Sequence, residues 1–315
     1  MEQQARFKSV LEKPGQVDYH LVPGCVWTEQ REKAVRAVLI GAGNVAWHIA
    51  PALEQAGVRW VQVLSRSEEH AHELASRLCS GPAYGSLDRI EQGGLDMSAS
   101  LFVLAVKDEA IAPLVERLHA AGRLLANGAE DSATAWEEKT VVHVSGSVPM
   151  EVLNPLVSHR AVMYFFQTFS KTVPCPDLAS TPICIEASDP ATAEWMEGLA
   201  KAVSGKVCFL NSQQRAVLHL GGVFACNYVN LMYTAAYDLF QEQGMDFSLL
   251  QPLMEETTRK VRNMPPAEIQ TGPAVRGDEA VLARHGALLA ESEAGKPYLE
   301  AYRLLARLIQ ERHER

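Results

Sequence analysis

Residues Val35–Ala50 read VRAVLIGAGNVAWHIA, and the fold is decided there. The apolar run Ala37–Ile40 is short, partly β-branched and closed by glycine, which predicts a buried strand. It ends in Gly41-Ala42-Gly43-Asn44-Val45-Ala46, after which Val45–Ala56, rich in alanine and leucine, predicts a helix. Strand, glycine turn and helix are the setting in which G-x-G-x-x-G/A holds a dinucleotide. Gly41 permits the tight turn, Gly43 leaves room for a pyrophosphate beside the backbone, and Ala46 in the third position lets helix and strand pack closely. The helix N-terminus offers free N–H groups and partial positive charge to the phosphates. The plainer alternative is a tight strand–helix turn that binds nothing.

The next segments fit a nucleotide-binding sheet. Arg59–Leu64 predicts a second strand that ends in Ser65-Arg66-Ser67. A carboxylate at this strand end would hydrogen-bond the ribose hydroxyls of NAD. Here a guanidinium stands between two hydroxyls, a set that pairs with a 2′-phosphate, so NADP is expected rather than NAD. A solvated turn that caps the following helix, Glu68–Leu78, is the alternative. Ser100–Val106 predicts a buried strand whose end, Ala105-Val106, falls beside the cofactor, because ligands of open α/β sheets sit at the carboxyl ends of strands. Thr140–Val144 ends in Ser145-Gly146-Ser147, which places Ser145 near the cofactor and Gly146 near the substrate. Ala161–Phe166 leads to Gln167, a further substrate candidate. Gly81–Gly85 reads as loop, and Pro182–Glu186 and Lys206–Leu210 as further strands around a helix at Pro190–Val203. Alternating strands and helices predict a doubly wound, mostly parallel sheet of the Rossmann type.

After Asn211 the pattern changes. Ser212–Gln243 reads as one long helix, followed by helices at Ser248–Val261, Glu279–Glu291 and Gly295–Arg312, with Asp278 as the N-cap of the third. The expected organisation is an extension over 1–33, an α/β domain over 34–211 and an all-helical domain over 212–315. On a wheel of about 100° per residue, Cys226 and Asn230 lie about 20° either side of His219, with Asn227 about 80° round. They form a polar stripe on an apolar helix expected to be buried. His219 is the candidate general acid, because imidazole titrates near neutrality. Asn227 and Asn230 are candidate substrate contacts, as is Arg276 in the glycine-rich loop Thr271–Asp278. Bonds to neighbouring helices or to a second copy would account for the same polar groups, and an ion pair with Asp278 for Arg276. Glu256 and Lys260 read as a structural i,i+4 pair.

The 315 residues suffice for two domains, and 47 % of them are hydrophobic. A net charge of −9 argues against nucleic acid or a membrane surface as partner. The six cysteines form no C-x-x-C and the ten histidines show no ligand spacing, so neither a metal site nor a disulfide framework is suggested. With no apolar segment at the N-terminus, a reducing cytoplasm is expected.

The α/β half resembles the NADP-binding domains of the pyrroline-5-carboxylate reductase and 6-phosphogluconate dehydrogenase superfamily, through Gly41–Ala46, Ser65-Arg66-Ser67 and Ala105-Val106. Residues 35–310 resemble bacterial Rossmann-like proteins that carry the C-terminal domain of unknown function 2520. The motifs are His143-Val144-Ser145-Gly146-Ser147, Gln167-Thr168-Phe169, the His219–Asn230 helix and Thr271–Asp278. The resemblance implies an NADP-linked oxidoreductase with a small-molecule substrate and a helical domain that mediates homodimerisation. Hydroxyacid dehydrogenases of the superfamily place a catalytic lysine four residues before an asparagine; counting back from Asn230 gives Cys226, and no lysine lies between Lys206 and Lys260. Reduction of a carbonyl or imine in the interdomain cleft is therefore expected, with a deazaflavin-linked NADP reductase or a non-catalytic NADP sensor as alternatives.

Overall fold

The structure is a computed structural model that describes residues 34–125 and 135–313. The extension expected over 1–33 lies outside the described residues. The chain forms two compact units that meet in sequence between Val217 and Leu218.

The first unit is built on one eight-stranded sheet. Its strands are β1 (Val35–Ile40), β2 (Val58–Ser65), β3 (Ala83–Ser86), β4 (Leu101–Leu104), β5 (Thr140–His143), β6 (His159–Phe165), β7 (Ile183–Ala187) and β8 (Val207–Phe209). Their order is β3-β2-β1-β4-β5-β6-β7-β8. Every neighbouring pair is parallel except β6 and β7. The segment between β6 and β7 holds a 3₁₀ turn at Leu178–Ser180, and the chain returns antiparallel along β6.

Helices α1 (Asn44–Gln55), α2 (Glu68–Ala75), α3 (Asp108–Leu125) and α4 (Pro190–Lys201) carry the connections. Both faces of the sheet are covered, which explains the continuous apolar strands. Alternation sends Ala37 and Leu39 to the face packed by α1, α2 and α4, and Val38 and Ile40 to the face packed by α3.

Residues 81–85, expected to be loop, contribute to β3, which pairs with β2 from Gln62 to Ser65. Ala-Tyr-Gly-Ser shows no apolar pattern because an edge strand is held mainly by backbone hydrogen bonds, which leave no trace in side-chain identity.

The second unit is helical and begins within α5 (Ser212–Gly222). This helix runs into a π-helical turn, Val223–Tyr228, which continues as α6 (Val229–Glu242); α7 (Gln251–Val261), α8 (Glu279–Glu291) and α9 (Leu299–His313) follow. The single long helix expected over 212–243 is thus interrupted. The break falls directly after Gly221-Gly222, a pair with poor helix propensity. Glu242 at the end of α6 accepts hydrogen bonds from Ser292 Oγ and from the backbone N–H groups of Glu293 and Ala294. Tyr298 donates to Asp238 at 2.8 Å. These bonds tie α6 to the turn between α8 and α9. Asp278 caps α8 by accepting from Val281 N, as expected, and Glu256 meets both Lys260 and Arg259. Among the described residues, no helix is long and apolar enough to cross a membrane.

Candidate functional site

Three strand ends converge on the glycine turn. Gly41 N donates to Leu64 O at the end of β2, and Ala105 N donates to Ile40 O, both at 2.7 Å. Gly41 has φ +118°, and a Cβ placed on it would lie 2.1 Å from Ala105 O. Only glycine fits a position that needs both positive φ and contact with a backbone carbonyl. Gly43 is different. A Cβ there meets nothing within 4 Å, and the crest formed by Gly43 and Asn44 is exposed. Gly43 is the N-cap of α1 in extended conformation, with no side-chain cap and no acidic residue in the first turn. The N–H groups at the start of this helix are left without a side-chain acceptor, and a phosphate can supply one. Ala46, fully buried, packs α1 against the sheet.

Ser65, Arg66 and Ser67 end β2 on the same side of the sheet. Ser67 caps α2 by accepting from His70 N at 3.3 Å. Arg66 is exposed, and among the described residues its guanidinium makes no hydrogen bond or ion pair. The capping role therefore falls to Ser67 and not to Arg66.

At the β4 and β5 ends, Ala105 is buried and Val106 half-buried, with Ser145 and Gly146 buried beside them in the sheet order. Ser145 Oγ accepts from Ser147 N at 3.1 Å and Val148 N at 3.0 Å, and so shapes the turn. Ser147 donates to Asp108 at the start of α3. His143 is fully buried, and its Nδ1 accepts from Ser145 N at 3.2 Å. The ring proton therefore sits on Nε2. Burial lowers its pKa to about 4, and the positive charge of Arg215 acts in the same direction. His143 is thus a neutral orienting group for the Ser145 turn.

Three features carried no expectation from sequence. The first is Arg215, 1 % exposed, which pairs with Glu186 and donates to Val148 O at 2.6 Å. Ser212 completes this network by donating to Glu186 from N and Oγ, at 3.0 and 2.8 Å. A signal was present: Arg215 is the single Lys or Arg between Lys206 and Arg259. The second is the loop after β6. Lys171 N donates to Asn44 Oδ1 at 3.3 Å, His48 Nε2 meets Ser170 O at 2.8 Å, and Phe169 stacks on His48. Trp47 of α1 carries two cations on its ring, Arg77 at 3.9 Å and Lys171 at 4.6 Å. This loop therefore lies against the first turns of α1, and a cation is held close to the glycine turn. The third is Tyr164 on β6, whose hydroxyl is raised to about 12 by burial, with Cys184 and Asp108 adding to the shift. Gln167 is exposed, and its side-chain oxygen accepts from Thr168 N at 2.9 Å.

His219, Asn227, Asn230 and Arg276 belong to the second unit. His219 is half-buried, whereas Asn227, Asn230 and Arg276 are exposed. The buried helix expected over Leu218–Phe240 is not observed: α6 has no buried residue, and Phe224 is 61 % exposed. The wheel that aligned Cys226 and Asn230 with His219 also assumed uninterrupted α-helix. The i→i+5 turn at Val223–Tyr228 alters the rotation of every later position. Cys226 and Asn227 lie within that turn, a feature frequent at functional sites. Arg276 forms no ion pair with Asp278 among the described residues, since Asp278 serves α8. No cluster of metal-ligating side chains occurs among the described residues.

Comparison with known proteins follows this geometry. Residues 28–97 match the family model described as shikimate / quinate 5-dehydrogenase, and residues 181–309 match the domain of unknown function DUF2520. A Bacteroides fragilis protein of solved structure, described as a "putative NADP oxidoreductase", is 37 % identical; the match covers 90 % of this chain and 99 % of that one, with a TM-score of 0.73. An imine reductase from Streptomyces aurantiacus is 14 % identical over 87 % of this chain and 95 % of that one, with a TM-score of 0.55. A reductive aminase from Aspergillus terreus, in complex with NADPH and ethyl levulinate, is 14 % identical over 88 % of this chain and 93 % of that one, with a TM-score of 0.52. At such identity the last two show a shared fold alone. No curated protein matches the chain.

Proposed function

We propose that this chain, which belongs to the family of Rossmann-fold proteins with a C-terminal DUF2520 domain, is an NADP-dependent oxidoreductase that reduces a small carbonyl or imine. The observation that carries the reading is the turn at Gly41–Ala46. It is pinned to two strand ends by Gly41 and open at Gly43, and it leads into a helix whose N-terminus no side chain caps. These residues fit a pyrophosphate. Arg66, unpaired among the described residues at the neighbouring strand end, fits a 2′-phosphate. Bound NADPH would supply a hydride; the protein supplies position and electrostatics.

The chain's own residues act as follows. The N–H groups of Asn44, Val45 and Ala46 would hold phosphate oxygens, and Ser65 and Arg66 would hold the adenosine end. Ala105 and Val106, with Ser145 and Gly146, would form the floor of the site at the β4 and β5 ends. His143 keeps that floor uncharged near neutral pH while fixing the Ser145 turn. Gln167, Asn227, Asn230 and Arg276 are the residues proposed to orient the substrate, and His219 is the one proposed to supply a proton to it. Cys226 at the superfamily's lysine position directs the reading away from hydroxyacid oxidation. A second copy of the chain is the proposed cover for Leu220, Phe224, Tyr228 and Leu231, each at least 47 % exposed, because large bare apolar patches mark interfaces.

The test is NADPH oxidation, followed at 340 nm, across a panel of ketones, aldehydes, cyclic imines and ketone–amine mixtures. Turnover with at least one class, reduced at least tenfold in His219→Gln, is expected. Tight NADPH binding with no turnover across the panel would leave a non-catalytic NADP sensor as the better reading.

A further inference from the structure

The sheet edge far from the glycine turn carries a pair of thiols that the proposed reduction does not use. Cys184 on β7 and Cys208 on β8 are register partners in a parallel pair, and their Sγ atoms lie 3.5 Å apart. Neighbouring strands run about 4.7–4.9 Å apart, inside the Cα separation of about 4.4–6.8 Å that a disulfide spans. Both cysteines are free thiols. The two differ sharply in access: Cys184 is 1 % exposed, whereas Cys208 faces solvent. β8 has only three residues and, among the described residues, pairs on one side only, so it can move the short distance that bond formation needs.

We propose that Cys208 and Cys184 form a peroxide-oxidised dithiol site, with Cys208 as the attacked sulfur and Cys184 as the resolving one. In the first step the Cys208 sulfur attacks one oxygen of hydrogen peroxide. The O–O bond breaks, a sulfenic acid forms, and the second oxygen leaves as water. In the second step the Cys184 sulfur attacks the Cys208 sulfur. The S–S bond forms, the S–O bond breaks, and the sulfenic oxygen leaves as a second water with the Cys184 proton. The two thiols lose two electrons and the peroxide gains them. A dithiol reductant reverses the change by exchange.

Access decides the order. Peroxide reaches Cys208, while the buried Cys184 thiol is held up at about 12, first by desolvation and then by its hydrogen bond with Cys208. Cys184 alone is therefore a poor target. The thiolate fraction of a group that weakly acidic rises about tenfold per pH unit, so bridge closure accelerates as pH rises. The bridge fixes β8 to β7 just before Ser212, whose hydroxyl and N–H bind Glu186 two residues beyond Cys184.

The experiment treats the full chain with a small excess of hydrogen peroxide, then blocks remaining thiols and maps peptides with and without reduction. The expected product in wild type and in Cys175→Ser is a reducible link between the Cys184 and Cys208 peptides. Cys184→Ser is expected to stop at the sulfenic acid, trapped on Cys208 by dimedone. Cys208→Ser is expected to leave Cys184 reduced at the same peroxide dose. Thermal melting of each variant before treatment identifies any that fail to fold, and the wild-type and Cys175→Ser maps stand without them. Two results overturn the proposal: Cys184 still alkylatable in wild type after Cys208 is oxidised, or Cys208 linked to Cys175 instead.

Discussion

Gly41 and Gly43 are separated by one residue, yet alanine at the two positions is expected to do opposite things. At Gly41 the added methyl meets Ala105 O at 2.1 Å and Ala105 C at 2.5 Å, on a backbone with φ +118°. The obstacle is backbone and cannot rotate away. The unfavourable φ alone costs about 1–3 kcal/mol, and relieving the overlap means separating β1 from β4, where Ala105 N bonds Ile40 O at 2.7 Å. Losing that buried bond adds about 1–3 kcal/mol. Gly41→Ala should therefore lose roughly 3–5 kcal/mol in urea unfolding. At Gly43 the methyl meets nothing within 4 Å and φ is −84°, so stability should stay within about 0.5 kcal/mol of wild type. The methyl instead occupies the space a pyrophosphate needs. Charge-assisted hydrogen bonds are worth about 1.5–3 kcal/mol each, so Gly43→Ala should weaken NADPH binding by roughly 10- to 100-fold. The assays are urea unfolding without nucleotide and NADPH titration by fluorescence. A Gly43→Ala protein that binds NADPH as wild type does, or a Gly41→Ala protein as stable as wild type, would refute the reasoning.

Breaking the buried pair through Arg215→Met should cost about 3–5 kcal/mol, because Glu186 is left charged and enclosed; adding Glu186→Gln should return part of it, read by unfolding of both variants. His143 binds a proton only below about 4 in the folded state but near its ordinary 6.5 when unfolded. Its contribution is complete above pH 6.5 and is lost as pH falls toward 4, so wild type should lose on the order of 3 kcal/mol across that window. His143→Gln should show a shallower decline in unfolding midpoints between pH 7 and pH 4.5, and an unchanged slope would contradict the assignment. Asp189 caps α4 through Thr192, and this bonding holds its carboxyl below the usual range. Stability from that cap is present above the ordinary carboxylate pKa and lost on acidification below it, so Asp189→Asn should flatten the acid limb of the same curve.

The α/β half was legible because local pattern and tertiary role coincide there. The apolar alternation of Val35–Ile40 reports burial on two faces, and Gly41 is required by one backbone contact. Arg66, where a carboxylate is usual, stands exposed at the end of β2 as the sequence pattern places it. What escaped was decided by groups distant in sequence. Lys171 reaches Asn44 across 127 positions, and Arg215 takes its meaning from Glu186 and Val148. β3 is held by backbone alone. The second unit misled most: its apolar helix reads as buried, yet this chain by itself leaves Phe224 and Leu220 bare. A hydrophobic pattern records that a face is covered and not which molecule covers it. The π turn left no residue-level signature beyond the two glycines before it.

Titration of wild type and Arg66→Ala with NADPH and with NADH bears on the cofactor site itself. Wild type is expected to prefer NADPH by at least tenfold, and Arg66→Ala to lose the preference while still binding NADH. Equal affinity of wild type for the two nucleotides would contradict the assignment of Arg66, and binding of neither would reduce Gly41–Ala46 to a structural turn and remove the oxidoreductase reading with it.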